Sequence, residues 1–143
     1  MRIFRPRMAL GEKVEEEKGR LTGMSIKSIG AEGVTVEASF VGEAQGFGRY
    51  SSGRNMATFT ILQGPKTTKS TGQGVFITKD GESLPWHMNT IGKYGTDRHN
   101  VVGTATFSTL SQKYAWVNDI LYVLDISISS DLTEYTTTVY EWK

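Results

Sequence analysis

Few side chains in this sequence of 143 residues have the types and spacing that chemistry asks for. The two histidines, His87 and His99, lie near Asp97, and two imidazoles with a carboxylate suit iron or zinc when they converge. They fall on opposite sides of the start of the polar connection 92–100, without a recognisable ligand spacing. Neither a metal nor any other cofactor is expected. As a proton carrier His87 is the more interesting, because it shares a strand face with Asn89 while Trp86 faces the other way. Lining an interior, that imidazole and amide would polarise a carbonyl or shuttle a proton; facing outward, they are solvated polar residues, and the outward reading is the ordinary one. Serines at 51, 52, 108, 111, 129 and 130 form no strand-to-helix elbow, and the absence of cysteine removes thiolate chemistry. Asp125 stands in the apolar run 120–128, but alternation turns it away from Leu124 and Ile126, making it an exterior carboxylate.

Aromatic residues are the stronger lead. Phe40, Phe59, Phe76, Trp86, Phe107, Tyr122, Tyr140 and Trp142 are spread over most of the strand-like runs. Such a set fills a core, and it equally walls an apolar ligand pocket. The candidates for a lumen are Phe40, Phe59, Phe76, Trp86, His87, Phe107, Tyr122 and Tyr140, with no residue assigned a catalytic role.

The elements that must position these residues centre on Gly72–His87. That stretch reads as a strand, a tight two-residue turn at Asp80-Gly81 and a returning strand, with Gly72 and Gly74 relieving a sharply coiled sheet. Val34, Val36, Ala38 and Phe40 alternate with polar residues, as do Ala57, Phe59 and Ile61, which is the period of half-buried strands. Gly30-Ala31-Glu32-Gly33 and Gln63-Gly64-Pro65 read as turns, and Gly46 and Gly48 as a corner bend rather than a phosphate loop, since no helix follows. Pro85 calls for a strand edge or bulge. Ser111–Asn118 breaks the strand texture with one helical turn, whose Tyr114 and Trp116 either plug a barrel mouth or cover it as a lid. Ile120 to Ile128 and Thr133 to Trp142 form the last hairpin. The count is about eight strands joined by short turns, which predicts an all-β antiparallel barrel. Residues 1–19, with Arg2, Arg5 and Arg7 before an acidic run, read as an N-terminal arm, and Met1–Leu10 as a further strand within it; residues 20–143 form the barrel domain.

The 16 basic and 15 acidic side chains nearly cancel, so no global field favours a nucleic acid or an anionic membrane. The first ten residues lack the apolar run of a signal peptide, and no window approaches a membrane helix. A soluble cytoplasmic protein is expected, with neither nucleic acid nor membrane as a partner; a homo-oligomer is compatible.

Three passages carry a resemblance: Gly72-Gln73-Gly74-Val75 with its Lys79-Asp80-Gly81-Glu82 turn, Ser108-Thr109-Leu110-Ser111-Gln112-Lys113 leading to Asn118, and the terminal Tyr140-Glu141-Trp142-Lys143. Over residues 18–143 the chain resembles small uncharacterised prokaryotic proteins of calycin type, near lipocalins and allene oxide cyclase barrels. The resemblance implies an eight-stranded calycin-like barrel and transfers no catalytic residue. Three functions follow as expectations: binding of a small apolar or amphipathic molecule in the lumen, a cofactor-free isomerase or cyclase using His87 or Tyr122, or a filled barrel that serves as an interaction subunit.

Overall fold

The computed structural model describes residues 10–143, and the arginines at 2, 5 and 7 and the start of the expected arm lie outside them. Eight antiparallel strands follow one another around a closed barrel in sequence order. They are β1 (Leu10–Gly30), β2 (Gly33–Gly46), β3 (Gly53–Gln63), β4 (Thr67–Thr78), β5 (Ser83–Tyr94), β6 (Arg98–Phe107), β7 (Tyr122–Ser129) and β8 (Glu134–Trp142), with a 3-10 turn at Ala115–Asp119 between β6 and β7. Closure comes from β1 against β8, in register from Leu10 opposite Trp142 to Arg20 opposite Glu134. Residues 10–19, read from sequence as arm, therefore belong to the barrel wall. Among the described residues no helix is long and apolar enough to cross a membrane.

Alternation decides which side chains meet inside. In β5, Leu84, Trp86, Met88 and Thr90 are buried while His87, Asn89 and Ile91 are exposed; β6 repeats the pattern with Val101, Gly103 and Ala105. The core joins these to Phe76, Tyr114, Tyr122, Leu124 and Ile126, and Tyr122 is the largest side chain that is fully buried.

Two turns differ from their expected form. The β4–β5 hairpin is held by Gly81 N–H donating to Thr78 O at 3.0 Å and Thr78 N–H donating to Glu82 O at 2.9 Å. Only Gly81 is left-handed there (φ 89°), so the loop is a three-residue turn with a glycine bulge rather than a two-residue turn. Pro85 sits opposite Val75 without a bulge, and its carbonyl accepts from Ser108 N–H at 2.9 Å, just past the last β5–β6 pair, Trp86 with Phe107. N–H and C=O of one residue point the same way across an antiparallel ladder, so the missing donor faces the end of that ladder.

Gly72 and Gly74 serve close approach. A Cβ on Gly72 would stand 2.2 Å from the Phe59 ring, and one on Gly74 would stand 2.4 Å from Trp86. Both rings lie flat over bare stretches of β4, which lets two large side chains share the interior.

The barrel has one covered mouth. Tyr114 O–H donates to Asp80 Oδ1 at 3.1 Å, Lys113 pairs with the same carboxylate, and Asn118 brackets Thr109 by accepting from its N–H at 2.8 Å and donating to its carbonyl at 2.9 Å. These bonds fasten segment 108–121 across the end where β2–β3 and β4–β5 turn. Trp142 N–H donates to Leu121 O at 2.8 Å and ties in the last strand. Of the two readings of Tyr114 and Trp116, plug or lid, these fastenings fit the plug.

Candidate functional site

An internal cavity of about 140 Å³ occupies the barrel, and its wall is overwhelmingly apolar. Of the residues nominated from sequence, Phe40, Phe59, Phe76, Trp86, Phe107 and Tyr122 line it. Two pairs of these rings pack edge to face, Phe40 with Phe59 at 5.9 Å between centroids and Phe107 with Tyr122 at 5.4 Å, a geometry worth about 0.5–1.5 kcal/mol per pair beyond burial.

His87 and Tyr140 do not line it. His87 is exposed, opposite Gln73 and Thr106 on the outer surface, because Trp86 and Met88 take the inward positions of β5. Tyr140 lies half-buried opposite Lys13 and Val123, while Val139 faces the cavity. His99 does reach the interior: it is buried, bonded through Nε2 to Thr68 Oγ1 at 2.9 Å, and stacked on Tyr94 at 4.8 Å. Burial pushes the His99 imidazole below its ordinary range, towards the neutral form. With one histidine outside and the other inside, no cluster of three metal-binding side chains forms among the described residues.

The polar groups that matter were hidden in the stretch read as arm. Glu15 and Glu17, two apart on β1, both line the cavity. Val14 lines it too, because the β1–β8 register slips by one between Lys13 opposite Tyr140 and Glu15 opposite Val139. This bulge places two consecutive side chains on the inner face and leaves Lys13 outside, paired with Glu16.

Glu17 is fully engaged. Tyr135 O–H donates to its Oε2, Asn55 Nδ2 donates to its Oε1, and Asn55 Oδ1 accepts from Trp86 Nε1 at 2.9 Å. Tyr135 reaches the carboxylate by lying over bare backbone, since a Cβ on Gly19 or Gly42 would collide with its ring or hydroxyl at 2.3 Å. Burial raises the Glu17 carboxyl, and the bonds from Tyr135 and Asn55 draw it partly back.

Glu15 has no such support. No hydrogen bond steadies its carboxyl; burial, and then the neighbouring Glu17, push it up to about 8. Nearer the covered mouth, Tyr50 donates its only hydroxyl proton to Glu141, so Tyr122 is the donor in the 3.0 Å contact between the two phenols. Arg49 bonds Glu141 at 3.3 Å and lies 3.9 Å over the Trp116 ring. Burial pushes the Tyr122 hydroxyl up to about 12. Among the described residues neither lysine nor arginine lines the cavity.

The missed residues had a faint signal. Glu15 and Glu17 stand at strand spacing, and Gly19 and Gly42 mark open backbone for a ring from elsewhere, but the neighbouring Lys13, Glu16 and Lys18 disguise the pattern as a solvated charge run.

No protein-family model matches the chain, and neither does any curated protein. Solved structures do. A protein of unknown function from Clostridium acetobutylicum ATCC 824 is 15% identical with a TM-score of 0.81, covering 94% of this chain and 97% of its own. A conserved protein of unknown function from Rhodopseudomonas palustris is 17% identical with a TM-score of 0.78, over 96% of this chain and 99% of its own. A β-barrel-like protein from Acinetobacter baumannii AYE is 14% identical with a TM-score of 0.80, over 99% and 100% of the two chains. At these identities the likeness is one of fold.

Proposed function

We propose that the barrel binds a small, largely apolar molecule in its lumen, in the manner of calycin-type carriers such as lipocalins. One observation carries the reading: an internal space of about 140 Å³ is walled by aromatic and aliphatic side chains although the mouth beside it is plugged. An apolar cavity of about 150 Å³ in another protein takes up benzene, so the occupant is on the scale of one ring, smaller than a fatty acid. Trp86 and Trp116 both line the space and report on it. Titration with toluene is expected to change their fluorescence and to shift the amide resonances of β3 to β6 in a saturable way. Absence of any saturable change at the solubility limit of toluene overturns the reading in favour of a filled barrel that acts only as an interaction subunit.

A second reading, proton transfer on an enclosed substrate without a cofactor, is supported by the Glu15 carboxyl, which sits at about 8 in an apolar cavity, where a general acid or base works near neutral pH. His87 has no part in it. Association of two copies is supported by β1 beyond Leu21, which among the described residues pairs only with β2 and exposes Met24, Ile26 and Ile29. Light scattering is expected to give twice the monomer mass for the natural chain and the monomer mass for Ile26→Lys.

A further inference from the structure

We infer that the molecule held in the lumen carries a protonated amine, which sits on Glu15 while its hydrocarbon part lies against Phe59, Trp86 and the neighbouring rings. This rests on the reading of the barrel as a small-molecule binder and gives that ligand a charge. Glu15 lines the cavity half-buried and has no hydrogen-bond or ionic partner among the described residues. Carboxylates withdrawn from water are normally paired, and an unpaired one facing a ligand-sized space is waiting for a donor that the described residues do not supply.

The surroundings bring no positive charge from the described residues. The groups facing Glu15 are Glu17 on β1, Tyr135 on β8 and Tyr122 on β7, one carboxyl and two phenols. Arg49 is committed to Glu141 and to the face of Trp116. An anionic or basic-group-seeking ligand finds no complement in this wall. A cation finds one carboxylate free, a second fixed beside it by Tyr135 and Asn55, and aromatic faces whose quadrupoles attract positive charge.

Entry of an ammonium group displaces the proton that Glu15 holds near neutrality. The carboxyl gives up its proton to solvent and the resulting carboxylate accepts a hydrogen bond from the ammonium, so binding releases a proton below pH 8.

The test compares ring-sized probes of matched shape, toluene and benzylammonium chloride, by tryptophan fluorescence and calorimetry on the full chain at constant ionic strength. Benzylammonium is expected to bind about tenfold or more tightly than toluene at pH 8, and Glu15→Gln is expected to bring the two within about twofold of each other. In the natural protein the ratio is expected to grow from pH 6 to pH 8, a measurement that needs no variant. Toluene binding without any preference for the amine, a preference that survives Glu15→Gln in a variant with an unaltered circular dichroism spectrum, or a ratio that does not move with pH overturns the inference and leaves the binding reading standing. Failure of both probes to bind overturns both.

Discussion

Glu15 keeps its proton in neutral solution, since burial and the adjacent Glu17 hold its carboxyl at about 8 against 4.5 for the free side chain. Between those values the folded chain binds a proton that the unfolded chain has released. The corresponding stability is fully present below pH 4.5 and is lost as pH rises through 8, at up to about 1.4 kcal/mol per pH unit. Glu17, raised in the same sense, adds to the trend. Urea midpoints are therefore expected to fall from pH 5 to pH 8, and to fall less in Glu15→Gln; an equal fall in both proteins would show that the carboxyl is solvated. A second residue-scale expectation concerns Gly72, where a methyl group would lie 2.2 Å from the Phe59 ring. Gly72→Ala should cost about 1–3 kcal/mol by overpacking. Combined with Phe59→Leu it should cost less than the two single changes together, because the shorter side chain vacates the contact.

Segment 108–121 behaves as a fastened cover because its bonds converge on two residues. Lys113, Thr78 and Tyr114 hold the Asp80 carboxyl down to about 2, below the ordinary 3.8, so this contribution is present above pH 3.8 and is lost as pH falls through 2. Asp80→Asn should increase amide hydrogen exchange across 108–121 at neutral pH and remove the acid-dependent part. Asn118→Ala should have a larger effect, leaving the N–H of the buried Thr109 without a partner at a cost of about 1–3 kcal/mol. Much of this scale was legible. Alternation in Ala57-Phe59-Ile61 and in Tyr122-Leu124-Ile126-Ile128 located strands and their inner faces, and the helical turn stood out because Tyr114 and Val117 break period two. Alternation also turned Asp125 outward, whereas His87, nominated for the lumen, proved to lie on the outer surface. It failed at Tyr140, where an aromatic residue on the outer face passes for one on the inner face, and at residues 10–19. There a strand with charged residues on both faces has no apolar stripe to betray it, and Glu17 is satisfied inside only by Tyr135 and Asn55, which lie far away in sequence.

Closure joins the described ends of the chain, with Leu10 opposite Trp142 and Glu17 opposite Thr137. Every other pairing is between consecutive strands, so the sheet assembles locally and is sealed by its most distant contact. Barrels dominated by non-local pairing fold in about milliseconds to seconds. Stopped-flow refolding followed at Trp86 and Trp116 is expected in that range, with substitutions in the β1–β8 seam mainly accelerating unfolding; microsecond refolding would contradict a late seal. The eight-stranded architecture was legible from strand count and short turns, but the seam was not, since its first strand lay inside the presumed arm. That seam also contains the bulge at Val14. Had β1 alternated without interruption, Lys13 would look inward beside Glu15, and the acid would have met its counter-ion within the chain. One supernumerary residue keeps the two apart. Across homologues, then, gains and losses of single codons in this strand, more than exchanges of one amino acid for another, should separate barrels that neutralise themselves from barrels that remain receptive to a cargo.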